Sequence, residues 1–152
     1  MCPPAGGVSL REVTRETLSS VLRLDVAEDQ KRFVASNAVS IAQAHFYDTA
    51  WFRAIYLGET PVGFVMLNEE PEKPEYSLWR LMIAAPYQRQ GIGLAAMRLV
   101  IEHVRTRPDA KELLVSHVRG DGSPGPFYAG LGFEYTGAED EGELVMRLRL
   151  DP

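Results

Sequence analysis

Gln88-Arg89-Gln90-Gly91-Ile92-Gly93 stands between a β-rich run, residues 76–83, and a stretch with Leu94, Met97, Leu99, Val100, Ile101 and Val104 as its apolar points. The spacing of those residues predicts a helix that ends near residues 106–108, where Pro108 stops it. The unit is therefore strand, glycine-bearing loop, helix. The first amides of such a helix lack intrahelical acceptors and its dipole is positive there, so phosphate oxygens are favoured ligands. Gly91 and Gly93 leave the backbone open to close approach and reach positive φ cheaply, while Arg89 adds a positive side chain at the mouth. A turn that merely reverses the chain would use the same residues. No Gly-Lys-Ser/Thr follows, which sets aside a Walker A loop, and the third glycine of a dinucleotide fingerprint is missing.

Upstream of the loop, residues 9–12 read as a short strand, and Thr14 or Thr17 caps a helix running through Leu18, Val21, Leu22 and Leu24. Residues 27–45 are polar, with Phe33, Val34, Ile41 and Ala44 as apolar points, and predict one or two short helices with an exposed side. Residues 51–57 and 61–68 are two strands joined by Gly58-Glu59-Thr60, a three-residue hairpin connection. Residues 69–74 form an acidic loop in which two prolines forbid regular structure. Downstream come a strand at 113–118, a Gly/Pro breaker cluster at 120–126, and a short helix at 127–131 that stops at Gly132. Two closing strands, 133–136 and 144–150, flank a turn at 139–142. The order is a mixed α/β one: strand, helices, three-strand meander, helix, strand, short helix, two strands.

The chain has 152 residues, 45% of them apolar, enough for one core and a single domain over 1–152, with residues 1–8 read as a flexible N-terminus. No apolar run reaches the roughly 20 residues that span a bilayer, and the start lacks the basic and apolar regions of a signal peptide, so a cytoplasmic location is expected. Cys2 has no cysteine partner and sits in a Pro/Gly-rich start; no cysteine chemistry is proposed. The net charge of -5 argues against a non-specific nucleic-acid binder, and weakly favours a cationic small molecule.

Gln88-x-x-Gly91-x-Gly93 directly after Leu81-Met82-Ile83, with Phe127-Tyr128-Ala129-Gly130-Leu131-Gly132-Phe133 some thirty residues on, resembles the GNAT superfamily of N-acetyltransferases over nearly the whole chain. The resemblance implies a mixed, largely antiparallel central sheet flanked by helices and splayed between the fourth and fifth strands. It implies acetyl-coenzyme A as co-substrate and no metal. Gln88, Arg89, Gln90, Gly91, Ile92, Gly93 and Leu94 would hold the pyrophosphate, and Leu81, Met82 and Ile83 would guide the pantetheine arm. Tyr128 would lie near the coenzyme sulfur as general acid, since a phenol can donate to a leaving thiolate. From spacing alone, Tyr128 could equally pack between Phe127 and Phe133. Asp121 stands where the family commonly has an asparagine that bonds the pantetheine, and Pro124 replaces an alanine, so the loop departs from the pattern there.

Acetyl transfer needs a neutral amine and a stabilised oxyanion, and backbone amides near Met82 and Ile83 are the candidate oxyanion donors. No covalent intermediate is required, so the lack of a Ser-His-Asp or Cys-His set counts for little. Candidate bases are Glu28 and Glu75, with Asp29, Tyr76 and His117 beside them; residues of these types are more often solvated or internally bonded. His45 and His103 have no partner at metal-ligand spacing.

Within the superfamily the likeness is closest to bacterial diamine or spermine/spermidine acetyltransferases, through residues 26–34, 78–83 and 142–146. Glu28, Asp29, Glu69, Glu70, Glu72 and Glu75 could supply the carboxylates of a polyamine pocket. The alternatives are a peptide or protein amine as acceptor, or a coenzyme-binding regulatory protein without catalysis. The alternation Leu144, Met146, Leu148, Leu150 fits either a homodimer edge or an inner strand face.

Overall fold

The computed structural model describes residues 7–31 and 35–150. Cys2 and the rest of residues 1–6, and Arg32, Phe33 and Val34, lie outside the described residues. Of the expected flexible start, Gly7 accepts a hydrogen bond from Gly58 N at 2.9 Å and Val8 already begins a strand.

The described chain runs β1 (Val8–Arg11), α1 (Leu18–Leu22), α2 (Asn37–Phe46), β2 (Ala50–Leu57), β3 (Thr60–Glu70), β4 (Glu75–Ile83), α3 (Ile92–Arg105), β5 (Glu112–His117), α4 (Gly125–Gly130), β6 (Glu134–Asp140) and β7 (Glu143–Arg149). Short 3-10 turns at Glu28–Gln30 and Ala85–Tyr87 precede α2 and α3. The element order matches the sequence reading, and several boundaries differ: β6 runs on to Asp140, leaving only 141–142 for the closing turn, and α4 starts at Gly125, inside the expected breaker cluster. α1 stops at Leu22, so Leu24 lies beyond it, and the Thr17 hydroxyl turns back to accept from Thr14 N at 2.9 Å instead of capping the helix. The β2–β3 connection is a two-residue turn, with Leu57 paired to Thr60 and Gly58 at φ 61°. Glu69 and Glu70 belong to β3, because the prolines occupy only the turn at 71–74 and Glu69 N donates to Thr49 O at 2.8 Å.

The strands form one sheet in the order β1-β2-β3-β4-β5-β7-β6. Every neighbouring pair is antiparallel except β4 and β5. α3 covers one face. Ile92, Ala96, Met97, Val100 and Val104 recur at helical spacing and are buried against Val65, Leu67, Tyr76, Leu78, Leu113 and Val115. Each of the larger aliphatic side chains among them contributes about 1.5–3 kcal/mol by leaving water. α4 joins this layer through Tyr128. α1 and α2 cover the other face, where Val21, Ile41 and Ala44 pack on Ala54, Phe64, Met66 and Met82. Ser36 caps α2, its hydroxyl accepting from Val39 N at 3.2 Å.

Two irregularities open the sheet at its centre. β4 and β5 pair only at Ser77 with Leu114 and Leu78 with Val115, after which they part. In the β3–β4 ladder Met66 pairs with Arg80 and Leu67 with Leu78, which leaves Trp79 as the extra residue of a bulge. The bulge switches the parity of β4. Tyr76 and Leu78 face α3 before it and Leu81 and Ile83 after it, whereas Trp79 and Met82 pack on the α1/α2 face. Among the described residues no helix is long and apolar enough to cross a membrane.

Candidate active site

The splay between β4 and β5 widens into a cleft of about 1580 Å³. It is lined along its length by Ser77 to Ile83 of β4 and Leu114 to Val118 from β5 onward, and it reaches the loop before α3. Strand alternation fixes which backbone groups face it. Ala84 N donates to Val62 O at 2.8 Å, so Ala84 and, two residues back, Met82 turn their polar groups towards β3. Ile83 and Leu81 then turn theirs the other way, into the gap that β5 has left. Of the expected oxyanion donors, Ile83 N is therefore the one aimed at the cleft. Met82 contributes a buried side chain to the opposite core.

At one end of the cleft lies the glycine loop. Gly91 is the N-cap of α3 at φ 80°, a conformation that costs an L-residue about 1–2 kcal/mol. Arg89 is also left-handed, at φ 65°. The first backbone bond of α3 runs from Ala95 N to Gly91 O, so the amides of Ile92, Gly93 and Leu94 have no intrahelical acceptor. Gly93 is different from Gly91. It sits inside the helix, and a Cβ there would make only ordinary contacts with Phe127 at 3.5 Å and Ile83 at 3.7 Å. The Gln88 side chain is spent internally, donating from Nε2 to Ile83 O at 2.8 Å and to Gln30 Oε1 at 2.7 Å. It ties the loop to the end of β4 and to the turn before α2. Arg89 lines the cleft, Gln90 donates to Pro86 O at 3.4 Å, and the Ile92 side chain is buried in the core, leaving its amide as its contribution.

Tyr128 lies on the α3 side of the gap, 6% exposed, with its ring edge-on to Phe127 and Phe133 at 5.4 and 5.6 Å. It both packs and lines the cleft. Burial pushes its pKa well above the usual phenol value, so it is a proton donor throughout the neutral range. His117, also buried, is held between Val118 O (2.9 Å from Nδ1) and the Tyr135 hydroxyl (3.0 Å from Nε2). Asp121 is exposed in the loop ahead of α4, beside Gly122, Ser123 and Pro124 of the cleft wall.

The other candidate bases fall elsewhere. Glu28 is exposed and paired with Lys31 at 3.3 Å, Asp29 sits beside it in the same turn, and neither lines the cleft. Glu75 is exposed at the far end of β4, and the Tyr76 hydroxyl donates to Pro108 O at 2.6 Å within the α3 core. Glu69 is buried, 2.6 Å from His103 and 3.2 Å from Arg107 on the α3 face. Of the acidic residues singled out in the sequence, only Glu70 lines the cleft.

On the α2 face of the gap are residues to which the sequence reading gave no role, although Arg80 and Glu143 fall within the stretches 78–83 and 142–146 that carry the polyamine-acetyltransferase likeness. Arg80 is half-buried at the bulge, donating to Gln43 Oε1 at 3.0 Å and to Trp79 O at 3.1 Å, with its Nε buried and without a hydrogen-bond partner among the described residues. Burial pushes its pKa down and the charge of Glu143 pushes it back up. Asp140, Glu141 and Glu143 enter the cleft from the β6–β7 hairpin. No local motif marks them; the topology that places β7 beside β5 brings the hairpin to the gap. The cleft thus has a donor side, with the α3 amides, the β4 edge and a protonated phenol, and an opposite side with carboxylates and one guanidinium.

The acetyltransferase (GNAT) family model matches residues 12–133. A spermine/spermidine N(1)-acetyltransferase of Bacillus subtilis is 26% identical over 149 residues, covering 91% of this chain and 96% of its own. Among solved structures, a PaiA N-acetyltransferase of Thermoplasma acidophilum in complex with coenzyme A superposes with a TM-score of 0.69 at 15% identity, covering 93% of this chain and 98% of that one. The ribosomal-protein-S18-alanine N-acetyltransferase of Escherichia coli gives 0.69 at 16%, covering 95% of each.

Proposed function

The chain belongs to the acetyltransferase (GNAT) family, and on that premise we propose that it transfers an acetyl group from acetyl-coenzyme A to a small primary amine, a polyamine first, acting as one domain. The observation that carries this reading is the through-going gap between β4 and β5, with different chemistry on its two faces.

The coenzyme enters on the α3 side. The free amides of Ile92, Gly93 and Leu94 and the positive end of α3 take the pyrophosphate, with Arg89 adding charge. The arm runs along the cleft-facing edge of β4 at Leu81 and Ile83. The Ile83 amide, turned to the gap by the β3–β4 pairing, donates to the developing oxyanion. The amine enters from the α2 face and attacks the thioester directly. Tyr128 then protonates the leaving thiolate, a role its raised pKa leaves it competent for at neutral pH.

The polyamine preference rests on the carboxylates at the acceptor side, Glu70, Asp140, Glu141 and Glu143, and on the likeness to the Bacillus subtilis enzyme. A peptide amine is the rival, and Arg80 favours it: a half-buried guanidinium with no carboxylate partner among the described residues suits an acceptor that carries carbonyls or a carboxylate. Incubation with acetyl-coenzyme A and a panel of spermidine, spermine, short peptides and aminoglycosides, following thiol release, tests both. Polyamine turnover at the highest kcat/KM is expected. Turnover of peptides alone would replace the polyamine reading, and absence of turnover despite coenzyme binding would remove the enzymatic one.

A further inference from the structure

Four carboxylates line the cleft, and their environments differ. Glu70 is engaged, 3.7 Å from Lys73 Nζ and accepting from Asn68 Nδ2 at 3.3 Å. Asp140 and Glu141 are exposed near the hairpin tip, Glu141 at φ 49°. Glu143 is half-buried at the start of β7, and no Lys or Arg lies within ion-pair distance of it among the described residues. Its Oε1 accepts from Ser116 Oγ at 2.9 Å. Both residues are on the α2 face, because their neighbours Val115 and Met146 are buried on the α3 face. Ser116 is the first residue beyond Val115, where pairing with β4 ends. The carboxylate is therefore held over the open part of the gap, across it from the side that Tyr128 occupies.

Resting on the reading that this cleft acetylates an amine, we propose that Glu143 takes the proton from the acceptor ammonium, with Ser116 as its positioning residue. In the first step an ammonium N–H bond breaks and an O–H bond forms on Glu143, directly or through one water. The freed lone pair attacks the thioester carbonyl. As the tetrahedral intermediate collapses the C–S bond breaks, Tyr128 gives its proton to the sulfur, and the second proton shed by nitrogen returns the phenol to its neutral form. Glu143 passes its proton to solvent through the open cleft, so one proton is released per acetyl group. Arg80 stands near enough for its charge and that of Glu143 to act on each other. That guanidinium disfavours a second cation beside it, so it makes the incoming ammonium more acidic. The other titratable groups around Glu143 are Asp140, its cross-strand partner on β6, Glu139, which is tied to Arg119, and His117 on β5.

The test is steady-state kinetics across pH with spermidine and acetyl-coenzyme A, on the wild type, Glu143→Gln and Ser116→Ala, with coenzyme affinity measured by calorimetry on each. Glu143→Gln is expected to lower kcat/KM about a hundredfold or more with coenzyme affinity unchanged. Its rate should climb steadily with pH, because hydroxide and free amine then replace the carboxylate. Ser116→Ala keeps the base but releases it, so kcat falls by roughly three- to tenfold and the acid limb of the profile moves. A Glu143→Gln enzyme that binds coenzyme and keeps the wild-type kcat/KM and profile overturns the proposal. Should that variant not fold, an unmoved acid limb in Ser116→Ala overturns it equally. A wild type that turns over no amine brings down the acetyltransferase reading itself, a different outcome from a wild-type enzyme whose base lies elsewhere.

Discussion

A Cβ on Gly63 would stand 2.4 Å from the backbone oxygen of Met82 and 2.9 Å from the Ile83 side chain. Gly63 pairs with Ile83 in the β3–β4 ladder, so the missing side chain is what lets β3 back the segment of β4 that forms the cleft edge. The obstacle is backbone and cannot swing away. Gly63→Ala should therefore cost about 1–3 kcal/mol, as overpacking does elsewhere, and should push β4 into the gap. Urea unfolding would read the first effect and calorimetry the weakened coenzyme binding; wild-type values in both would refute the argument.

Gly91 and Gly93 should respond differently to substitution. At φ 80° Gly91 is where a side chain is strained, and Gly91→Glu also puts a carboxylate at the mouth of the proposed pyrophosphate site. The expected result is a rise in coenzyme Kd of about tenfold or more, given the 1–2 kcal/mol conformational cost and the added repulsion. Gly93→Ala meets only van der Waals neighbours within a helix. Its thermal stability should hold or rise by up to about 1 kcal/mol. A Gly91→Glu protein with unaltered coenzyme affinity would show that the loop does not hold the pyrophosphate.

Tyr128→Phe removes one oxygen from a buried ring. With no change in packing, coenzyme affinity should stay near the wild-type value while kcat falls by about a hundredfold. The pH dependence of stability gives an independent check. Burial raises the Tyr128 pKa, so the native state holds its proton where the unfolded chain has released it. The associated stability is whole below the unfolded value of about 10 and is lost as pH rises from there towards the folded pKa. Tyr76, whose pKa is also raised chiefly by burial, contributes in the same direction. Guanidinium melts from pH 8 to 11 should show a shallower alkaline loss in Tyr128→Phe than in the wild type. Identical slopes would mean that Tyr128 titrates normally.

The parts of the fold legible in the sequence are those with a local cause. The α3 stripe from Ile92 to Val104, the glycine at φ 80° and the Gly/Pro cluster before α4 each write a periodicity or a backbone requirement into consecutive residues. The misread parts depend on partners far along the chain. Glu69 looks like loop, yet it is a strand residue, its amide donating to Thr49 O and its carboxylate paired with His103 and Arg107. The parity switch at Trp79 is invisible without β3, since a bulge is a relation between two strands. Likewise the proposed coenzyme half of the site is one strand, loop and helix in sequence, and its motif is readable there. The proposed acceptor half draws on Arg80, Ser116 and Glu143 from three strands, and no spacing announces it.

Glu69 also gives the sharpest way to separate a structural carboxylate from an acceptor-binding one. Its Oε2 is 2.6 Å from His103 Nε2, and His103 stacks on Trp51 at 4.1 Å, with the Arg53 guanidinium 4.6 Å from the centre of the same ring. Arg107 Nε is 3.2 Å from Oε1 yet is not aligned as a hydrogen bond, so that contact is Coulombic. The group fastens the end of α3 to β2 and β3. Glu69→Gln leaves a guanidinium beside a neutral amide in a half-buried place, which should cost about 1–3 kcal/mol once solvent screening at Arg107 is allowed for. Because Glu69 faces α3 and not the cleft, the KM for spermidine should not move. Glu141→Gln, at the hairpin tip that lines the cleft, should do the reverse, raising that KM severalfold, more at low salt than at high, with unfolding unchanged. A Glu69→Gln enzyme with wild-type stability and a raised KM would put this carboxylate on the acceptor instead.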